Sequence, residues 1–250
     1  MVAMSAWAEE RGCSDRWRAV AFARWAQQAR ATLHPDDRPA LQLAEATRPL
    51  YHRGLLSAEE VLGLVQAAQT LEASFGNRRL TNQGTKIWYS SSHETLYLHH
   101  GGWFSHHFPS LLDRLVQTMR QCAALWHQQE ACDDRAEKQT GDVEAASRLN
   151  VRCIELHTYV VGGALTMPAH RDSGSTISMS VLLSDAKTCD GGKFVTWSDK
   201  RHPVEHELQR GDAILFPSER IHNVSPVLAG QRKSLVFELW TGPSLERGRN

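Results

Sequence analysis

Hydrophobic positions change their period along the chain. In the first half they recur every three to four residues. Trp17, Val20, Ala21, Trp25 and Ala29 form one such stripe, which predicts an amphipathic helix. His34-Pro35-Asp36-Asp37 breaks it, and a second helical piece is expected from about Pro39 to Thr47. Ser57-Ala58-Glu59-Glu60 places a hydroxyl at a helix N-cap and a carboxylate three residues on, so each can satisfy a free backbone N–H. Val61, Leu62, Leu64, Val65, Ala68 and Leu71 then supply the apolar face, and Gly76-Asn77 ends the helix. Between them and the next helix, Ile87-Trp88-Tyr89 and Leu96-Tyr97-Leu98 read as short strands. Residues 110–131 read as helix through Leu111, Leu112, Leu115, Met119, Cys122 and Leu125, and residues 128–147 as a polar loop or helix extension.

From residue 148 the period falls to two. Val151–Val161 is one predicted strand, and Gly162-Gly163 turns it. Further strands are predicted at Ile177–Leu183, Lys193–Trp197, Glu205–Leu208, Ala213–Phe216, His222–Val224 and Lys233–Trp240. Strands at this spacing with Gly, Pro and Asp turns indicate a sandwich or jelly roll. The expected architecture is α+β: a double-stranded β-helix (jelly roll) in the C-terminal half, flanked by N-terminal helices. Residues 1–50 read as a helical extension used for packing or dimerisation, and 51–250 as a single domain with its core at about 148–242.

Composition narrows the functions. Of 250 residues 41% are hydrophobic and 22% charged, which is ordinary for a globular protein. Lys+Arg and Asp+Glu both number 28, so the net charge is zero and no broad phosphate-binding footprint is expected, hence no nucleic-acid partner. Five cysteines without a C-x-x-C argue for reduced thiols and a cytoplasmic setting rather than a disulfide framework. Met1–Arg18 lacks an apolar signal core, and no stretch is long and apolar enough to span a membrane.

The candidate chemistry lies at His170-Arg171-Asp172 and His222. On a strand, or one beginning to turn, residues 170 and 172 share a face. Two imidazoles and one carboxylate can occupy one face of an octahedral metal and leave three positions open, the arrangement of non-haem Fe(II) oxygenases. Arg232 follows ten residues after His222. Thirteen histidines dilute any single match, so the order of the set carries the reading. His99, His100, His106 and His107 raise a second metal site, but adjacent histidines diverge and are more often solvated. Asp172-Ser173-Gly174-Ser175 raises a serine hydrolase, but the required strand-to-helix elbow is missing. A non-catalytic jelly-roll binding protein is the remaining alternative.

The ordered series Glu155-Leu156-His157-Thr158-Tyr159, His170-Arg171-Asp172, Asp190-Gly191-Gly192-Lys193-Phe194, Gly211-Asp212, His222-Asn223-Val224 and Gly230-Gln231-Arg232 resembles the Fe(II)/2-oxoglutarate-dependent dioxygenases, in their prolyl 4-hydroxylase-like and lysyl hydroxylase-like branch. The resemblance covers residues 148–242, and only Leu56–Glu60 resembles that family in the helical front. It implies that His170, Asp172 and His222 ligate Fe(II), and that Arg232 clamps the distal carboxylate of 2-oxoglutarate with its planar fork. It implies that Tyr159 hydrogen-bonds the cosubstrate. Ser234 and Ser178 are placed beside it by strand parity. The implied reaction is hydroxylation of an unactivated C–H bond with O2, coupled to decarboxylation of 2-oxoglutarate to succinate and CO2, with ascorbate as a supporting reductant.

Parity adds a substrate expectation. If Tyr159 and Arg232 face a pocket, so do Glu155, His157 and Glu238. Polar groups facing inward are costly unless used, so these three are expected to read a polar or cationic substrate. The alternative is that Glu238 or Glu155 pairs internally with Arg152 or another base. The resemblance points first to a peptidyl proline or lysine, then to a free amino acid or small metabolite. The nucleic-acid demethylase branch carries a second arginine where this chain has Glu238. Leu182 stands where some prolyl hydroxylases have a tyrosine.

Overall fold

The computed structural model describes residues 15–31, 48–74, 86–90, 92–130, 145–167, 169–197 and 202–246. Its helices are α1 (Asp15–Ala31), α2 (Ala58–Ser74), α3 (Trp103–His107) and α4 (Pro109–Glu130). Its strands are β1 (Leu50–His52), β2 (Lys86–Ser90), β3 (His93–Tyr97), β4 (Asn150–Tyr159), β5 (Ile177–Leu182) and β6 (Cys189–Gly191). They continue with β7 (Phe194–Trp197), β8 (Pro203–His206), β9 (Ala213–Pro217), β10 (His222–Val224), β11 (Val227–Gly230) and β12 (Arg232–Trp240).

Strand β12 sits in the middle of a seven-stranded sheet of order β1-β9-β5-β12-β4-β3-β2. It pairs antiparallel with β4 on one side and β5 on the other. A three-stranded sheet, β10-β7-β8, and a β11-β6 pair complete the strands. Side-chain alternation divides the large sheet into two faces. Ile154, Leu156, Met179, Leu215, Leu235 and Phe237 pack into one core with Leu64 of α2 and Leu115 and Met119 of α4. The opposite parity joins the sheets: Tyr159, Ile214 and Phe216 pack with Phe194, Val224 and Val227. Glu155, His157, Arg232, Ser234 and Glu238 share that second face and line a cavity.

The helix start at Ser57 forms as the sequence predicts. The Glu60 N–H donates to Ser57 Oγ at 3.1 Å, and the Ser57 N–H donates to Glu60 at 2.8 Å. The turn at Gly211 fixes where α2 meets β5 and β9. Leu56 donates to Gly211 O, and Gly211 donates to Leu182 O. A Cβ there would lie 2.2 Å from Leu56 O at a φ of +88°, so only glycine fits.

Several expectations need correction. On α1, Val20 is exposed, whereas Phe22, Trp25 and Ala26 pack against Val195, Trp197 and Ile221. On α4, Leu125 is exposed and Trp126 is buried in its place, with its Nε1 donating to Arg48 O. The strand predicted to reach Val161 ends at Tyr159, and Val160 and Val161 are exposed. The strand expected at Glu205–Leu208 runs earlier, at Pro203–His206. The short strands β1, β6 and β11 carry too few residues to show a period. Residues 1–14, the piece from Pro39 to Thr47, the stop at Gly76-Asn77 and most of 128–147 lie outside the described residues. No helix among the described residues is long and apolar enough to cross a membrane. Cys122, Cys153 and Cys189 are thiols.

Candidate metal centre and cosubstrate pocket

His170, Arg171 and Asp172 lie in an irregular segment between β4 and β5, not on a strand. Backbone bonds give the segment its shape. The His222 N–H donates to His170 O at 3.0 Å, and the Asp172 N–H donates to Ser218 O at 2.9 Å. The first bond ties β10 to the triplet and brings His222 beside it. One ligand atom each from His170, Asp172 and His222 then lies within 4.8 Å of the others. His170 Nε2 is 3.3 Å from Asp172 Oδ1, and His222 Nε2 is 3.7 Å from the same oxygen. Arg171 points outward to Glu219.

The surrounding groups orient these ligands. His222 Nδ1 lies 3.0 Å from Arg220 O, the geometry of an Nδ1–H donor, which leaves Nε2 for a metal. Ser178 Oγ donates to Asp172 Oδ2 at 2.6 Å and contacts Ser218 Oγ at 2.9 Å. Burial alone would raise the Asp172 pKa. His222, His170 and the Ser178 hydrogen bond outweigh it and hold the carboxyl well below the usual range. A carboxylate kept ionised between two imidazole nitrogens is a donor set suited to Fe(II). Ser178, expected beside the cosubstrate, is placed differently: its hydroxyl is used on Asp172. Ser180, two residues on, lines the cavity.

The second element of the site is a buried cation. Arg232 is 2% exposed and lies in the wall of a cavity of about 710 Å³ together with the three ligands. Its Nη1 donates to Ser234 Oγ at 2.6 Å, and its guanidinium carbon is 5.6 Å from the centre of the Tyr159 ring. Its Nε is buried with no hydrogen-bond partner. Among the described residues no carboxylate pairs with it, and burial lowers its pKa. Gly192 makes room for it: a Cβ there would come within 3.0 Å of Arg232 Cδ. A buried guanidinium without an acid fits an incoming carboxylate, and 2-oxoglutarate has one at each end.

Tyr159 is held by neighbours that sequence reasoning missed. His93 stacks on its ring at 4.0 Å, and His93 Nε2 is 2.9 Å from His157 Nδ1. Burial and then the neighbouring His157 push the His93 pKa down to about 3, so it stays a neutral ring. His157 Nε2 in turn reaches Glu155 at 2.7 Å. Glu238 accepts from Ser175 Oγ at 2.6 Å and lies 3.6 Å from Arg152 Nη1, so the internal pairing with Arg152 is present. Extending β3 by parity back from Tyr97 would have found His93, which sits opposite Tyr159 in register. Trp25 and Gln28 of α1 also line the cavity, a role the sequence stripe did not show. The histidine-rich loop forms no metal cluster among the described residues. His99 is buried rather than solvated, accepting from the Ile154 N–H at 3.1 Å.

Residues 154–241 match the family model of the 2OG-Fe(II) oxygenase superfamily. A PKHD-type hydroxylase of Pseudomonas putida is 37% identical over 65 residues, which is 26% of this chain and 27% of that protein. The chain spans between 27% and 39% of the length of curated relatives of this kind. Among solved structures, AviO1 of Streptomyces viridochromogenes superposes with a TM-score of 0.53 at 14% identity, over 81% of this chain and 93% of that one. An oxidoreductase of the 2OG-Fe(II) oxygenase family from Burkholderia pseudomallei gives 0.50 at 16% identity, over 86% and 93%. The segment 154–241, which supplies the triad and Arg232, is thus the part of the chain that matches the 2OG-Fe(II) oxygenase superfamily, and the fold is similar to that of these solved proteins.

Proposed function

We propose that this protein is an Fe(II)- and 2-oxoglutarate-dependent dioxygenase that hydroxylates an unactivated C–H bond. The observation that carries the reading is Arg232: a buried cation without an acid, facing the same cavity as a two-histidine, one-carboxylate cluster. His170, Asp172 and His222 would hold Fe(II). Arg232 and Ser234 would take the distal carboxylate of 2-oxoglutarate, with Tyr159 against the cosubstrate. Fe(II), 2-oxoglutarate and O2 together supply oxidative decarboxylation to succinate and CO2 and the hydroxylation itself. The protein's own part is orientation and dryness. Ser178 and Arg220 fix the ligand side chains, while Phe194 and Phe216 present apolar walls to the cavity. Two sheets joined by the cluster around Tyr159 and Phe194 support a jelly-roll framework. The thiol state of Cys122, Cys153 and Cys189 supports a reducing, cytoplasmic setting.

Two substrate readings remain within this chemistry. The prolyl or lysyl residue of a peptide rests on the sequence resemblance and on the PKHD-type relatives. A free amino acid or other small molecule is favoured by α1, whose Trp25 and Gln28 form part of the cavity wall. Anaerobic titration of the full chain with Fe(II) and 2-oxoglutarate tests the cofactor assignment. Saturable 2-oxoglutarate binding that needs the metal is expected, followed by succinate release when O2 and ascorbate are admitted with substrate. Well-folded protein that binds no 2-oxoglutarate in the presence of Fe(II) would remove the assignment.

A further inference from the structure

Helix α1 lies outside the segment that matches the oxygenase family, yet it packs where the two histidine ligands are held. Its Trp25 and Ala26 are buried in one small cluster with Val195 and Trp197 of β7 and with Ile221, and Phe22 and Ala169 pack against that cluster. Ile221 immediately precedes His222, and Ala169 immediately precedes His170. One cluster thus holds the residue before each imidazole ligand.

A second route leads from α1 to the same place. The Trp25 ring lies 6.4 Å from the Trp197 ring and 5.4 Å from Phe22. Trp197 Nε1 donates to Asn223 Oδ1 at 2.7 Å, and Asn223 directly follows His222 on β10. Asn223 Nδ2 donates in turn to Leu165 O at 2.9 Å and to Met167 O at 3.1 Å, which ties down the chain leading into Ala169 and His170. Backbone strain marks the join. Ala169 has a φ of +50°, in the left-handed region that residues with a side chain avoid. Such a conformation persists only where its surroundings enforce it. The bond from the His222 N–H to His170 O holds the turn, and the α1 cluster packs on the alanine.

The Trp25 side chain is itself kept in place by packing. It is 7% exposed and its Nε1 is buried with no hydrogen-bond partner, whereas Trp126, Trp197 and Trp240 each donate to an oxygen. What the ring contributes there is volume and contact, not a polar bond.

Building on the dioxygenase reading, we infer that Trp25 is a positioning residue for the metal centre. Packed from α1 onto the cluster of Trp197, Ile221 and Ala169, it keeps the two ligand-bearing segments at the spacing in which His170 Nε2 and His222 Nε2 lie 3.3 Å and 3.7 Å from Asp172 Oδ1. The helix that precedes the family segment therefore completes the iron site as well as covering it. Trp25 also lines the cavity, so its ring joins the substrate space to the ligand segments.

The test is anaerobic titration of the full chain with Co(II), a stand-in for Fe(II) with visible absorption bands, alongside equilibrium dialysis with Fe(II). Trp25→Ala is expected to weaken both metals about tenfold or more and to alter the Co(II) spectrum, as loss of a group that orients ligands does. Trp25→Leu reads the same quantity if the alanine variant does not fold. Trp25→Phe keeps a ring against Trp197 and is expected to bind within about threefold of wild type. Leu115→Ala on α4 is the stability control. It opens a cavity in the other core, so it should lower the unfolding midpoint and leave metal affinity within about threefold. Wild-type affinity and an unchanged spectrum in Trp25→Ala or Trp25→Leu overturn the inference. So does a Leu115→Ala chain that loses as much affinity, because the effect is then general destabilisation. A Trp25→Phe chain as weak as Trp25→Ala also overturns it, since the N–H rather than the packed ring would then matter. A wild-type chain that binds neither metal would instead overturn the dioxygenase reading on which the inference rests.

Discussion

Replacing Arg232 by Met should separate stability from function in opposite directions. The guanidinium is 2% exposed, its Nε has no partner, and no carboxylate pairs with it among the described residues. An uncompensated buried charge costs several kcal/mol even after relaxation. Against this stand one hydrogen bond to Ser234, worth about 1 kcal/mol, and the Tyr159 ring, worth about 0.5–2 kcal/mol. Met has a similar shape and no charge, so the ligand-free variant should gain roughly 1–3 kcal/mol. For a chain of this size that raises the unfolding midpoint by about 2–12 °C. The ligand response should vanish at the same time. Wild-type protein with metal and 2-oxoglutarate at a hundredfold excess over Kd gains about 2.7 kcal/mol, and Arg232→Met should gain none. Thermal unfolding with and without 2-oxoglutarate measures both quantities. A variant less stable than wild type by more than about 1 kcal/mol without ligand, or one keeping the ligand shift, would refute the view of Arg232 as a cation awaiting an anion.

Three further outcomes can be measured. Ser178→Ala should weaken Fe(II) binding by roughly 10- to 100-fold, read by anaerobic metal titration, because Asp172 loses the donor that orients it. Burial lowers the His206 pKa to about 4, so between pH 6.5 and 4 the unfolded chain binds a proton that the folded chain does not. Stability should therefore fall as the pH drops through that window, by about 3 kcal/mol from this residue, and denaturant titrations of His206→Gln should show a correspondingly flatter profile. Ser57→Ala should cost about 1 kcal/mol in the same denaturant assay and leave 2-oxoglutarate binding unchanged, since it removes one cap bond at the start of α2.

The parts of this molecule legible in the sequence are those where one residue's environment repeats at a fixed period. On β4 and β12 both faces are buried, one apolar and one polar, so parity alone places Glu155, His157, Ser234 and Glu238 on the cavity side. Parity fails where the chain leaves the strand. The segment from His170 to Thr176 folds back over β5, so Ser178 meets Asp172 although it shares a strand face with Ser180, which reaches the cavity. On α1 the predicted stripe holds at Trp25, which is buried, and fails at Val20, which is exposed, for a different reason. Its alanines make more than one face apolar enough to pack, and Trp197 on a distant strand decides which one does. His93 was hidden because β3 begins with polar residues, whose burial depends on Tyr159 lying opposite.

Strand β12 works as a ruler for change over evolutionary time. Its inward positions come every second residue, with Arg232 at one end and Glu238 at the other. Each position can be exchanged without moving its neighbours, because main-chain pairing to β4 and β5 fixes the spacing from both sides. A substitution at one inward step changes the cavity wall there while the Arg232 step stays intact. The cavity wall thus changes one residue at a time on a strand whose position in the sheet never has to be found again.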